Sequence, residues 1–258
     1  MRLLVLGSSS SVGSGLARRD LAWPWLVARE LPGSIDEPVD LAHEVIFPVG
    51  PAAVPRAKAA VERFHPDVVI YAYGAYPCAV ETVALRVKQL LGERAFRMFR
   101  RAERRFDSTV GGSAAKRRRS GRWVRWLARR TIGVAPLTTF EELSGIQLEI
   151  VHWLSRFEGM VVIVSCEPDL PAGPDEVNTR ANIILARDRD LVNGVAIGHH
   201  FLISDCRPGF AAVPDRDRLF QADAVHKTEA GHAIQAQSFL QTLLSAPSPY
   251  ADRVVRPA

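Results

Sequence analysis

The chain has 258 residues, of which 47% are hydrophobic and 24% charged, and its formal net charge is +5. This length is enough to bury a full hydrophobic core, and the composition is ordinary for a globular protein. No run of about 18 apolar residues occurs, so no membrane-spanning helix is predicted. The three cysteines, Cys78, Cys166 and Cys206, are widely spaced and odd in number, which argues against a disulfide framework or a zinc cluster.

The first residues indicate a cytoplasmic protein. The apolar run at residues 3–6 is too short for the central region of a signal peptide, and a loop of glycine and serine follows it at once. We therefore expect a reduced, cytoplasmic environment.

Short apolar runs alternate with helical patterns along the chain. Continuous apolar runs predict buried strands at 2–6, 43–50, 65–77, 160–169 and about 199–204. Helical spacing predicts helices at 13–31, 54–64, about 140–157, 178–194 and about 228–244. This alternation is typical of an α/β fold, in which helices cover both faces of a parallel sheet and the site lies at the carboxyl ends of the strands.

The interval between the third and fourth predicted strands is roughly eighty residues long, far more than one crossover helix requires. We interpret the surplus as a basic insertion at about 92–135 within a single domain spanning 1–258. Between residues 93 and 130, fourteen Lys and Arg residues face three acidic ones. We expect a helix, a linker at 107–121, and a second basic helix that carries Trp123 and Trp126.

The first predicted strand runs into the loop GSSSSVG at residues 7–13. Such a loop suits either a nucleotide phosphate held against the backbone or a serine nucleophile. Gly7 and Gly13 match the GxxGxxG turn of extended short-chain dehydrogenases, but Ser10 replaces the middle glycine, where the backbone closes on the pyrophosphate. The Tyr-x-x-x-Lys pair of those enzymes is also missing. An NAD(P)-dependent reductase or epimerase is therefore the weaker interpretation.

The other end of the chain carries Asp223 three residues before His226, ahead of the last predicted helix. A carboxylate at this spacing can accept a hydrogen bond from the imidazole Nδ1–H and leave Nε2 free as a base. Alone, the pair is equally compatible with a helix-capping acid beside a surface histidine. Combined with a serine loop after the first strand, it supplies the nucleophile, base and orienting acid of a Ser-His-Asp triad.

The order of these motifs resembles that of the SGNH (GDSL-type) hydrolases. LVLGSSSSVG aligns with the strand and Gly-Asp-Ser block of the family, which makes Ser9 the matching nucleophile. Gly50 in FPVGPAA matches the glycine whose N–H donates to the oxyanion. HPDVVIYAYGAYP aligns with the third block, and DAVHKTEAG matches the closing Asp-x-x-His and Thr-x-x-Gly signature. The resemblance covers nearly the whole chain apart from the basic insertion.

Two positions depart from the family pattern. Ser8 replaces the aspartate of the first block, which leaves the nucleophile in place. Tyr76 stands where the family has its oxyanion-hole asparagine, a donor of a kind worth about 2.7–4 kcal/mol. Four interpretations stay open: the Tyr76 hydroxyl substitutes, the hole uses the Ser9 and Gly50 amides alone, the site has left general hydrolysis, or Tyr76 only packs beneath the insertion.

The resemblance implies a three-layer α/β/α flavodoxin-like sandwich with a central parallel sheet. It also implies a serine esterase or acyltransferase in which Ser9 forms an acyl-enzyme, His226 acts as base and Asp223 orients the imidazole. No cofactor and no metal are implied. A non-catalytic binding protein of the same fold is the alternative.

Three further residues are site candidates. Asp205 is a second possible acid, because it follows the last predicted strand. His199 and His200 suggest a metal, but no third ligand has suitable spacing, so a metal site is not expected.

The basic insertion interleaves its charges with aromatic residues, namely Phe96, Phe99, Trp123 and Trp126. A solvated lid is one interpretation; the others are a contact with an anionic membrane surface, an acidic acyl carrier protein or a phosphate-bearing acyl-CoA. Nucleic acid is not expected, because no recognisable binding module accompanies the charge. Since the insertion follows the third strand, we expect it to cover the entry of a small-molecule acyl ester or acyl donor.

Overall fold

The computed structural model describes residues 1–35, 37–79, 83–109, 130–171, 177–221 and 224–245. The chain divides into two compact units, residues 1–76 together with 140–258, and residues 77–139. Among the helices of these described ranges, none is long and apolar enough to cross a membrane.

Parallel strands form a five-stranded sheet in the first unit, in the order β2-β1-β3-β4-β5. The strands are β1 (Arg2–Gly7), β2 (Asp40–Val45), β3 (Val68–Tyr73), β4 (Val161–Cys166) and β5 (Leu202–Ser204). This is the flavodoxin-like order, whose topological switch point lies between β1 and β3. All five predicted strands are present, although β2 starts three residues before, and ends five residues before, the predicted bounds.

Helices flank the sheet and also form part of the second unit. Those that pack on the sheet or beside it are α1 (Trp23–Glu30), α2 (Pro32–Ile35), α3 (Ala53–Phe64), α6 (Phe140–Leu154), α7 (Val177–Gly198), α8 (Arg207–Ala211) and α9 (Glu229–Leu244). Two further helices among the described residues are α4 (Tyr76–Ala79) and α5 (Val83–Thr109). Short 3-10 turns occupy Arg19–Leu21 and Arg216–Leu219.

Side chains of β1, β3 and β4 alternate between two hydrophobic cores, one on each face of the sheet. On one face, Leu4 and Val69 pack with residues of α3, α6 and α7. On the other, Leu3 and Ile70 pack with residues of α1 and α9. The predicted three-layer α/β/α sandwich is therefore confirmed. Because helices cover both faces, the central strands are buried throughout and read as continuous apolar runs.

The prediction of a helix beginning at residue 13 is wrong. Residues 9–15 form turns in which Gly13 and Gly15 have φ values of +75° and +83°. This left-handed backbone is incompatible with an α-helix. Helix α1 begins at Trp23 instead, with Pro24 in its first turn, where a missing N–H breaks no helical hydrogen bond. The serines therefore lie in a long connection shaped by glycine, and they do not cap a helix.

The second unit contains α5, which is kinked at Gly92, where φ is +78°. The predicted basic helix from residue 92 lies within α5, whose first turns precede it. Most of the predicted linker at 107–121 and all but the last residue of the second basic helix, including Trp123 and Trp126, lie outside the described residues.

A carboxyl group is buried within the first unit. Asp188, on α7, is 1% exposed, and its Oδ2 accepts a hydrogen bond from Gln147 Nε2 at 3.4 Å. Its Oδ1 has no hydrogen-bond partner in the described part of the chain. Burial raises the pKa of Asp188 to about 7, because a carboxylate is costly to remove from water, and the Gln147 hydrogen bond only partly opposes this rise.

We expect Asp188→Asn to weaken the pH dependence of the free energy of unfolding. The carboxyl has a pKa of about 3.9 in the unfolded chain. Because its pKa is higher in the folded state, protonation stabilises the fold, and this stabilisation is complete below about pH 3.9. This contribution is lost as the pH rises through about 7. The wild-type protein should therefore lose about 2–4 kcal/mol between pH 5 and pH 8 from this group. Urea unfolding at each pH measures the loss.

The variant keeps a neutral amide of the same shape and should lack this decline. Asp190→Asn, on the exposed side of the same helix, is the matched control and should follow the wild-type curve. Parallel curves for Asp188→Asn and the wild-type protein would contradict the prediction.

Candidate active site

The loop after β1 carries serines at positions 8, 9, 10, 11 and 14, beyond the carboxyl end of the strand. Ser8 Oγ accepts a hydrogen bond from the Ser10 amide at 3.3 Å, and Ser14 Oγ donates to the Ser9 carbonyl at 3.0 Å. Ser10 Oγ accepts a hydrogen bond from Lys227 Nζ, which belongs to a buried ion pair described below. Ser11 Oγ donates to the Ser8 carbonyl at 2.6 Å. Ser9 is half-buried, and its hydroxyl makes no hydrogen bond to any residue that the structure describes. Ser9 is thus the serine of this loop with an uncommitted hydroxyl.

A hydrogen bond between a serine and a histidine does occur in this loop, at Ser11. Its Oγ lies 2.8 Å from His43 Nε2, on β2. Ser11 is fully buried, so a substrate cannot reach it. Burial lowers the pKa of His43 to about 4, so the ring is neutral at physiological pH. Gly7 leaves room for this contact, because a Cβ there would lie 2.2 Å from Ser11 Oγ. The Ser11–His43 pair is therefore part of the scaffold that shapes the loop.

His226 lies in the loop that leads into α9. Thr228 follows it: its amide donates to the Leu219 carbonyl at 2.9 Å, and its Oγ1 donates to the Arg218 carbonyl at 2.9 Å. A Cβ on Gly231 would lie 2.5 Å from the Leu219 carbonyl oxygen. The Thr-x-x-Gly spacing therefore has a physical basis, since the threonine ties the loop to the preceding turn and the glycine lets α9 approach its backbone.

The predicted acid of the triad, Asp223, lies outside the described residues. Its contact with His226 therefore stays a prediction. His226 itself is half-buried, and its carbonyl accepts a hydrogen bond from the Gln221 amide at 2.7 Å.

The loop that carries His226 contacts the serine loop. Lys227 Nζ donates to Ser10 Oγ, although the two residues are 217 positions apart. Gln221 Nε2 donates to the Ser14 carbonyl at 2.7 Å. The immediate neighbours of Ser9 and His226 in the sequence therefore touch each other. The loops that carry Ser9 and His226 are therefore in contact, while the Ser9 hydroxyl itself makes no hydrogen bond to His226.

A buried ion pair lies at this junction, and sequence reasoning missed it. Lys227 is 0% exposed, and its Nζ donates to Glu167 Oε2 as well as to Ser10 Oγ. Glu167 directly follows β4 and is also buried. Gly74, just after β3, leaves room for it, because a Cβ on Gly74 would lie 2.9 Å from Glu167 Cγ. The available signal was an acidic residue directly after an apolar strand, but no spacing in the sequence connects Glu167 to Lys227.

The candidate oxyanion donors lie at the same edge of the sheet. Gly50 is in the turn between β2 and α3, and its φ of +75° is a conformation that favours glycine. The Ile46 amide donates to the Gly7 carbonyl at 2.6 Å, so the segment after β2 leaves the sheet beside the serine loop. The backbone N–H groups of Ser9 and Gly50 donate to no acceptor among the described residues. These two candidate donors are therefore not engaged by the described part of the chain.

Tyr76 begins α4, and its hydroxyl is already engaged. It donates a hydrogen bond to the Pro168 carbonyl oxygen at 3.4 Å. Burial raises the pKa of Tyr76, and the neighbouring Glu167 carboxylate adds to the rise, so the hydroxyl stays protonated.

The other candidates have their own partners. Both Asp205 carboxylate oxygens accept hydrogen bonds from the Arg207 guanidinium, at 2.6–3.1 Å. His199 Nε2 lies 2.8 Å from His152 Nδ1 on the surface. Within the ranges that the structure describes, no three potential metal ligands come together.

Comparison with known proteins gives matches in structure alone. No protein-family profile and no curated protein sequence matches the chain. A lipase/acylhydrolase from Enterococcus faecalis superimposes with a TM-score of 0.58 at 15% identity, covering 100% of this chain and 98% of that one. Axe2, an acetylxylan esterase from Geobacillus stearothermophilus, gives 0.56 at 16% identity and 93% coverage of both chains. TesA gives 0.55 at 16% identity, covering 97% and 99%.

The chain has the SGNH hydrolase fold. This confirms the fold that the sequence motifs predicted. Within this SGNH fold, Ser9 follows β1, Gly50 follows β2, Tyr76 follows β3 and His226 precedes the last helix. Each of these four residues thus lies next to the strand or helix to which its motif assigns it.

We expect Gly231→Ala to lower the free energy of unfolding by about 1–3 kcal/mol, because the added methyl meets a backbone oxygen that cannot rotate away. Gly194→Ala is the matched control, since Gly194 is exposed near the C-terminal end of α7 and nothing lies within 4 Å of the added Cβ. It should raise the free energy of unfolding by up to about 1 kcal/mol, because alanine favours a helix. Urea unfolding of both variants measures the difference, and equal effects would contradict the close approach at Gly231.

Proposed function

We propose that this protein is an ester hydrolase or acyltransferase that works through an acyl-enzyme on Ser9. The observation that carries the proposal is the free hydroxyl of Ser9, within the described residues, in a loop whose other serines are all engaged. The likeness of the fold to a lipase/acylhydrolase and to an acetylxylan esterase supports ester chemistry.

In the proposed mechanism, His226 Nε2 takes the proton of Ser9 Oγ as the oxygen attacks the ester carbonyl carbon. The carbonyl electrons move to its oxygen and form a tetrahedral oxyanion. Collapse of this intermediate breaks the bond to the alcohol, which leaves with the proton from His226. Water or a second alcohol then attacks the acyl-enzyme in the same way, and Ser9 is regenerated. Asp223 is assigned the role of holding the imidazole with its proton on Nδ1.

We assign the oxyanion to the backbone N–H groups of Ser9 and Gly50. Both are uncommitted within the described residues, whereas the Tyr76 hydroxyl already bonds to the Pro168 carbonyl. Backbone amides aimed at a developing negative charge need no reorganisation during the reaction, which is the source of their effect. In this proposal Tyr76 does not replace the family's asparagine.

The second unit suggests an anionic partner. On α5, Leu91 and Met98 are each 71% exposed, and the exposed Arg94 and Arg97 lie on the same helix. Exposed apolar side chains interleaved with positive charge suit an anionic membrane surface, an acidic carrier protein or a phosphate-bearing acyl donor.

A fluorophosphonate probe tests the nucleophile. The wild-type protein should be labelled on Ser9, identified by mass spectrometry of the peptide, and should hydrolyse p-nitrophenyl acetate. Ser9→Ala should abolish labelling and lower kcat by at least about 10³-fold, as expected for loss of a nucleophile. Ser8→Ala is the matched control, because it removes the adjacent hydroxyl, and it should still be labelled.

Persistent labelling of Ser9→Ala would refute the assignment. A folded wild-type protein that takes no label would favour the non-catalytic binding protein of the same fold.

Tyr76→Phe should keep kcat/KM for p-nitrophenyl acetate within about threefold of wild type, since the oxyanion is assigned to backbone amides. A hydroxyl that bound the oxyanion would instead cost about 10²–10³-fold. Tyr73→Phe is the control, because it removes another buried tyrosine hydroxyl, one bonded to Asn193 Oδ1 at 2.9 Å. Steady-state kinetics on the three proteins separate the two cases.

A further inference from the structure

We propose that the buried ion pair of Lys227 and Glu167 is a positioning device, which fixes the loop of His226 relative to the loop of Ser9. This inference rests on the proposed function. Lys227 directly follows His226, and its ammonium group bonds to Ser10, which directly follows Ser9. Each candidate catalytic residue is thus one peptide unit from the same polar cluster.

The cluster has three members with fixed roles. The Lys227 ammonium donates to Glu167 Oε2 and to Ser10 Oγ, and Ser10 Oγ donates to Glu167 Oε2 at 3.3 Å. A hydroxyl that both accepts and donates fixes its own rotamer. Glu167 directly follows β4, a fully buried inner strand that lies between β3 and β5 in the sheet. Both loops are therefore held to the same rigid element, strand β4, through Glu167.

Stability alone does not explain such a pair. Removing two charges from water is costly, and apolar residues of similar volume often stabilise a fold as well or better. Hydrogen bonds between charged groups, however, depend on direction and distance far more than apolar contacts do. The geometry of the pair therefore specifies position, which matters where a misplacement of about 1 Å costs as much as about 10²-fold in rate.

A second set of hydrogen bonds, made by Gln221, joins the same two loops. Like the ion pair, it involves the segment that carries His226. Gln221 Nε2 donates to the Ser14 carbonyl at 2.7 Å and to the Lys227 carbonyl at 2.8 Å. Phe220 and Lys227 also form an antiparallel bridge across this loop. The Lys227 backbone is held by these bonds while its side chain reaches Ser10.

The test compares Lys227→Met, Glu167→Gln and the double variant, in the full chain, with p-nitrophenyl acetate as substrate. Each single variant should lower kcat at least 10-fold with KM within threefold, and each should be less stable, because it leaves one buried charge without a partner. The double variant removes both charges and should recover most of the thermal stability. Its kcat should stay at least 10-fold below that of the wild-type protein, because the hydrogen bonds of Lys227 that join the loops are still missing.

The pH profile supplies a readout that a change in stability does not move. The double variant has no net change in charge at the cluster, so the acidic midpoint of its kcat/KM profile should match that of the wild-type protein while the plateau is lower. Leu243→Ala, which opens a cavity at the far end of α9, is the control for stability and should keep the wild-type kcat at a temperature well below its unfolding.

Recovery of kcat together with stability in the double variant would overturn the proposal, as would a lowered midpoint with an unchanged plateau. Hydrogen exchange tests it independently of catalysis: amides of residues 7–15 and 224–228 should exchange at least 10-fold faster in the double variant. Unchanged exchange would overturn the positioning role even if Ser9 is labelled. Failure of the wild-type protein to take fluorophosphonate, with faster exchange in the variant, would refute only the proposed function.

Discussion

The ammonium group of Lys227 is fully removed from water, and the arrangement of the candidate site follows from its need for partners. It finds them in Glu167, at the end of β4, and in Ser10, in the loop after β1. A buried charge that loses either partner is costly, so the two loops and the strand end are held together. Ser9 and His226 are half-buried, and each is adjacent in sequence to a member of this cluster.

The same junction depends on close approach at glycines. Gly7 leaves space for the Ser11 hydroxyl, Gly74 for the Glu167 side chain, and Gly231 for the backbone of Leu219. In each case a Cβ would come closer than 3.0 Å to its neighbour. The spacing of small residues in the motifs therefore reflects packing around the site, and the reactive groups are a small part of it.

Some buried polar groups of the first unit support the candidate site and take no part in the proposed reaction. His43 is kept neutral, because burial lowers its pKa to about 4, and it supports Ser11. Burial raises the pKa of Tyr76, whose hydroxyl bonds to Pro168. The Ser9 hydroxyl and the Ser9 and Gly50 amides are uncommitted within the described residues. The engaged groups shape the site, and the uncommitted groups of Ser9 and Gly50 are the ones proposed to contact a substrate.

The sequence by itself determined the α/β class, all five strands and the order of the motifs, because buried parallel strands are continuous apolar runs and local patterns need no partner. It misplaced the start of α1, since the left-handed glycines of the serine loop are visible only as backbone angles. It also missed the ion pair of Glu167 and Lys227 and the contact of Ser11 with His43. Both join residues far apart in the chain, and only the tertiary structure decides such contacts, because they depend on the parallel strand order that brings the loops to one edge.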